Sequence, residues 1–189
     1  TTDNDVAGFT IAQSGGSTSV SETGSTDTFT VVLNAQPTSN VVLSISSSDT
    51  GEATATSLLT FTSGNWNSAQ TVTVTGADDN IIDGTIASTL TIAVVDAISD
   101  DDFDSVADQT VSVTTTDNDV AGFTITESGG STSVSESGTT DTFTVVLNAQ
   151  PASNVVLNIT SSDTGEATVT GTLTLSLIHI SEPTRPLYI

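Results

Sequence analysis

Seven carboxylates stand out by position: Glu22, Asp49, Asp78, Asp79, Asp83, Asp117 and Asp119. Each lies just beyond a short run in which apolar and hydroxyl residues alternate. Asp117 and Asp119 sit two apart in TTDNDV, and residues two apart in an extended segment point to the same side. They form an Asp-x-Asp clamp, and the letters around them, TTDNDVAGFTI, occur twice, at 1–11 and 115–125. Grouped carboxylates have few chemical uses. As a pair they can hydrolyse glycosides, and as a larger group they can hold a hard cation.

Cation binding fits the rest of the composition. Two carboxylates about 4 Å apart repel by roughly 4 kcal/mol at an effective dielectric near 20, whereas a whole domain is stable by only about 5–15 kcal/mol. Residues 1–174 contain no Lys, Arg, His or Tyr that could offset such repulsion. Keeping the group protonated at neutral pH would require large upward pKa shifts. Calcium accepts about 6–8 oxygen ligands in a flexible geometry, which suits loop-borne acids better than the strict octahedron of magnesium. Zinc would want His or Cys. The same poverty of side chains argues against an enzyme, since the usual nucleophile–base sets cannot be assembled.

The elements that must position these acids are strands. Thr, Val, Ser, Asp and Gly dominate the 189 residues, and long helix-forming stretches are missing. The net charge is −22, but 35% of residues are apolar and they alternate, which favours a folded chain over a disordered one. Strand signals fall at 8–12, 19–22, 27–33, 41–46, 58–62, 71–76, 88–95 and 109–115. Phe29, Val31 and Leu33 share one face, as do Leu43 and Ile45, Val72 and Val74, Leu90, Ile92 and Val94, and Val111 and Val113. This predicts an all-β, immunoglobulin-like antiparallel sandwich of about seven strands. Glu22, Asp49 with Glu52 nearby, Asp78, Asp79, Asp83, Asp117 and Asp119 then all fall at one pole.

The unit is repeated in tandem. Residues 1–56 align with 115–170 with eight substitutions, at a spacing that matches a whole sandwich domain. The expected organisation is the end of a preceding repeat at 1–5, a complete sandwich at 6–119 and a truncated second repeat at 120–174. The second repeat lacks its last three strands and is expected to be unstable alone. Residues 175–189 are set apart by holding the only Arg, His and Tyr: Arg185, His179 and Tyr188. LSLIHISEPTR, Leu175 to Arg185, resembles a translated sequencing-library adapter, so the tail is excluded from functional reasoning and His179 is no catalytic candidate.

The segments SVSE (19–22), SSDTGEAT (47–54), TVTVTGADDNIID (71–83) and VSVTTTDNDV (111–120) resemble the Calx-beta repeat, the calcium-binding sandwich of sodium/calcium exchangers that also occurs in bacterial surface proteins and adhesins. The resemblance implies that Glu22, Asp49, Asp78, Asp79, Asp83, Asp117 and Asp119 hold a small cluster of calcium ions. The family's exit run of three acids reads Asp117-Asn118-Asp119 here, which implies that one ion is weakened or lost. In the second repeat Glu136 and Asp163 correspond to Glu22 and Asp49, without the other ligands. Asp3 and Asp5 would serve a preceding unit.

The residues leave some readings open. Asp49 and Asp83 could be turn formers. Asp100, Asp101, Asp102 and Asp104, at the other pole, read as a solvated charge run; facing the exit of a preceding unit, they would instead join an inter-domain ion site. Trp66 reads as a cap on the core; as a stacking platform it would make the chain a glycan- or ligand-binding module instead. Acidity could also serve solubility in high salt, where the screening length shrinks to about 3 Å at 1 M. The composition argues against nucleic acid and anionic membranes as partners, and no segment is apolar for long enough to span a bilayer. The expected partners are neighbouring repeats and cell-surface glycans or proteins. The expected location is the bacterial surface or exterior, where a protein without cysteine needs no disulfides.

Overall fold

The computed structural model describes residues 4–176; the tail from 177 to 189, with His179 and Arg185, lies outside the described residues. The described residues divide into two compact units, one of residues 4–79 and 83–118, the other of 80–82 and 119–176.

The first unit is an all-β sandwich of nine strands: β1 (Phe9–Gln13), β2 (Thr18–Ser21), β3 (Thr26–Leu33), β4 (Val41–Ser47), β5 (Ala53–Ala55), β6 (Leu58–Phe61), β7 (Gln70–Gly76), β8 (Ile86–Val94) and β9 (Gln109–Thr116). They form a four-stranded sheet in the order β1-β3-β7-β5 and a five-stranded sheet in the order β2-β9-β8-β4-β6. The alternation seen in the sequence places the core. Phe29, Val31, Leu33, Leu43, Ile45, Val72, Val74, Leu90, Ile92, Val111 and Val113 are all buried between the sheets, joined by Phe9, Val41, Phe61 and Phe103. The outward positions are mostly Thr and Ser, as a pleated, half-buried surface favours.

Twice the chain changes sheets within a single edge. β1 and β2 are separated by a turn in which Gly15 and Gly16 take φ of +63° and +82°, a region that glycine enters without steric cost. β1 then pairs antiparallel with β3, while β2 pairs parallel with β9, Thr18 facing Val113 and Ser21 facing Thr116. This parallel pair departs from the wholly antiparallel expectation. Its consequence is that β2 and β9 end side by side, so Glu22 emerges next to Asp117. At the opposite edge β5 pairs with β7 and β6 pairs with β4.

At the pole away from the acids, Asp101, Asp102 and Asp104 are exposed, as a solvated run requires, but Asp100 departs from that reading. It is buried, 4% exposed. One oxygen accepts the backbone N–H of Thr38 (2.6 Å), the Thr38 hydroxyl (2.8 Å) and the backbone N–H of Ser39 (2.7 Å), and the other accepts the N–H of Asp102 (3.1 Å). These donors, led by Ser39 N–H and the Thr38 hydroxyl, hold its carboxyl down at about 2. The carboxylate therefore ties the β3–β4 turn to the β8–β9 loop. A depressed folded-state pKa means stability that is present above the unfolded value of 3.8 and lost as pH falls through about 2. Asp100→Asn is expected to cost about 2 kcal/mol at neutral pH by that linkage, measured by urea unfolding.

The second unit contains four strands among its described residues: β10 (Phe123–Glu127), β11 (Phe143–Leu147), β12 (Val155–Asn158) and β13 (Thr172–Leu175). β10 pairs with β11 and β12 with β13, both antiparallel. These repeat the β1–β3 and β4–β6 pairings of the first unit.

Candidate metal centre

The acid-bearing pole of the first unit follows from strand direction. β2, β4, β7 and β9 all end there. β3 begins there, with Thr26 facing Thr75, and so do β5, with Ala53 facing Gly76, and β8, with Ile86 facing Thr115. The segments that follow or precede these ends carry Glu22, Asp49, Glu52, Asp78, Asp79, Asp83 and Asp117.

Glu22 is 1% exposed and Glu52 is 6% exposed. A carboxylate oxygen from each of Glu22, Glu52 and Asp83 lies within 4.8 Å of the other two, and Glu22 and Asp117 approach equally closely. Glu22 receives the backbone N–H of Asn118 at 3.1 Å. Glu52 Oε2 is buried without a hydrogen-bond partner. Burying an ionised carboxylate without a partner is costly, and at this spacing each pair of charges adds roughly 3 kcal/mol of repulsion at an effective dielectric near 20. The donor set is all oxygen, which fits a hard cation such as calcium.

The electrostatics point the same way. Burial pushes the Glu22 carboxyl above its usual range; the Asn118 N–H opposes this, and Asp117, Asp79 and Asp83 add to it. Burial also pushes Glu52 up, with Asp83, Glu22, Asp49 and Asp79 contributing. A carboxyl whose folded-state pKa is raised takes up protons more readily when folded, so falling pH stabilises the fold. In chelated protein, Glu22 and Glu52 should make stability rise as pH falls from neutral through their raised values toward 4.5. Below 3.8 the stability that the ionised Asp100 contributes begins to be lost, until its carboxyl protonates near 2, and this should reverse the trend. Urea midpoints from pH 7 to pH 2.5 would show this rise and fall, and a monotonic decline from pH 7 would contradict it.

The remaining predicted ligands take varied places. Asp117, half-buried, accepts the backbone N–H groups of Asp83 (3.1 Å) and Gly84 (2.9 Å) on one oxygen. It thereby fixes the turn that presents Asp83. Asp79 is half-buried and close enough to raise both glutamates. Asp78 is exposed and accepts the Asn118 side-chain N–H at 2.8 Å. Asn118 therefore braces the centre twice, through its backbone to Glu22 and through its side chain to Asp78. Asp49 is exposed and caps its own turn, accepting Gly51 N–H at 3.0 Å. Asp119 is half-buried and belongs to the second unit, opening its longer segment.

Glu52 is the residue that spacing did not assign. In the sequence it is merely close to Asp49. The signal it carried was its place one residue before Ala53–Ala55, a strand too short and too small in side chain to read as one. Trp66 packs against the core, and its carbonyl accepts the Leu33 N–H at 3.1 Å.

The fold and site thus define an immunoglobulin-like β-sandwich with a buried carboxylate cluster at one pole. No protein-family model matches the chain, and no curated protein matches it. Solved structures do. The apo-form Calx CBD1 domain is 14% identical, with 59% of this chain and 98% of that one covered, at a TM-score of 0.41. CBD12 from CALX1.2 is 17% identical, with 95% of this chain and 74% of that one covered, at 0.41. The surface layer protein SbsC, domains 1–6, is 18% identical, with 92% of this chain and 22% of that one covered, at 0.39.

Proposed function

We propose that the first unit is a calcium-binding structural repeat, without catalytic activity, from a large exported bacterial surface or adhesin-like protein. The observation that carries the metal is the Glu52 carboxylate, buried with an unpartnered oxygen among the like charges of Glu22 and Asp83. Such a group is tolerable at neutral pH when a cation neutralises it. Glu22, Glu52, Asp83 and Asp117 are the proposed ligands, with Asp79 adding field. Asp78 and Asp49 shape the surrounding loops. Asp119 would follow the last ligand into the next repeat, so that an ion at this pole stiffens the exit of each sandwich.

The mechanism is linkage: an ion that binds only the folded state stabilises it by RT ln(1 + [L]/Kd). Extracellular modules bind calcium at about 10⁻⁴–10⁻³ M, concentrations that exterior fluids supply. A spacer repeat of this kind has neighbouring repeats as its main partners. The interior packing of Trp66 favours it over a glycan-stacking role. Isothermal titration of chelated protein should detect calcium uptake in or below that range and much weaker uptake of magnesium. Absence of calcium heat at millimolar concentrations would remove the proposal.

A further inference from the structure

The topology of the first unit fixes the route that tension takes through it. The chain enters at the pole away from the acids, where Phe9 faces Leu33 and the Phe9 carbonyl accepts the Gln109 side-chain N–H at 2.7 Å. β1 and β2 then run in one direction toward the carboxylate pole, β1 in the four-stranded sheet and β2 in the five-stranded one. The chain leaves at the carboxylate pole, past Thr116 at the end of β9. Pulling entry and exit apart therefore draws β2 toward one pole and β9 toward the other, along the strand axis.

β2 and β9 are direct neighbours. They run parallel, with Thr18, Ser19, Val20 and Ser21 facing Val113, Thr114, Thr115 and Thr116. Two further bonds tie them: the Glu22 N–H donates to the Thr116 carbonyl at 3.1 Å, and the Thr116 hydroxyl donates to the Val20 carbonyl at 3.4 Å. The bonds of a parallel ladder are evenly spaced along the strands, so axial sliding strains them together. An antiparallel pair pulled apart at one end opens bond by bond, and β1–β3 is such a pair when it is opened from Phe9 and Leu33. Forced unfolding is governed by the unfolding barrier rather than by equilibrium stability, so the direction of pull decides how much force the unit withstands.

We propose that the first unit is a load-bearing element in which the parallel β2–β9 pair is a shear clamp, passing tension applied along the chain from the entry strand directly to the exit strand. The clamp consists of backbone bonds and needs no ion. Its test can therefore be run in chelator, where its failure is distinct from a failure of calcium binding.

The chain has no cysteine, so introduced pairs give unique attachment points for single-molecule pulling of the full chain. Val6→Cys with Val120→Cys, both at exposed positions, pulls along the strand axis. Val6→Cys with Asn40→Cys, both exposed and both at the pole away from the acids, opens β1–β3 from its end. At one pulling rate the axial pair should need at least about twice the force of the other, because its bonds fail together rather than singly. Val20→Ala, in β2, should lower the axial force. Val41→Ala, the same truncation of a buried valine in β4 and off the load path, should lower it less. The proposal is overturned if the two geometries unfold at the same force, or if Val41→Ala lowers the axial force as much as Val20→Ala does.

Discussion

Glu52→Gln is expected to raise the unfolding midpoint of the chelated protein and to lower it in calcium. Both signs come from one residue. Without an ion, Glu52 is a buried charge facing Glu22 and Asp83 with one oxygen unpartnered, and its raised pKa records that cost. Glutamine has the same shape and no charge, so its introduction relieves the repulsion. With calcium present, the carboxylate becomes an asset and the amide a poorer ligand. At calcium a hundredfold above Kd the wild type gains about 2.7 kcal/mol, and loss of a charged ligand should remove most of it. For a unit of this size about 1 kcal/mol corresponds to roughly 4–8 °C, so the gap between variants should be readable in a thermal scan. A purely structural glutamate would give one sign in both conditions. A chain whose acids serve only solubility in salt would respond to sodium chloride as it does to calcium.

Gly76→Ala is expected to be the most damaging single methyl in the first unit. A Cβ on Gly76 would stand 2.1 Å from the Ser21 carbonyl oxygen and 2.7 Å from its carbon. Both are backbone atoms and cannot rotate away. Gly76 is itself fixed, donating its N–H to Ser25 at 3.0 Å and facing Ala53 in the β5–β7 pair. The sheets must part there, at a cost of about 3 kcal/mol, the upper end of the usual overpacking penalty. Ser21 directly precedes Glu22, so the same displacement should weaken calcium binding. The nearest atom to a Cβ on Gly64 is the Thr62 hydroxyl, 3.8 Å away, and Gly64→Ala is the matched control. Denaturant midpoints for the two variants check the stability claim, and a calcium titration checks the coupling.

The two strongest expectations rest on features of different legibility. The strands of the first unit were readable because large apolar residues recur at every second position through 27–33, 71–76, 88–95 and 109–115, and every position assigned inward there is buried or partly buried. The pole was readable because acids cluster just beyond strand ends, and direction alternates in a sandwich. Individual ligand roles were less readable. Asp49 and Glu52 are three residues apart in one loop, and which of them turns inward is decided by the β5–β7 pairing, with Ala77 N–H donating to the Glu52 carbonyl at 2.8 Å. The parallel β2–β9 pair was hidden because its cause is a two-glycine sheet switch, and a GGS turn signals only a reversal. Asp100 was misread because its four donors come partly from residues about sixty positions away, beyond the reach of any local pattern.

The proposal that the carboxylate pole holds a doubly charged ion is tested most directly by a crystal grown in calcium and measured at a wavelength where calcium scatters anomalously. A peak is expected about 2.3–2.6 Å from carboxylate oxygens of Glu22, Glu52 and Asp83, with the unpartnered Glu52 oxygen among its ligands. Saturating calcium with no peak at that pole, and Glu52 Oε2 still bare or turned to solvent, would contradict it.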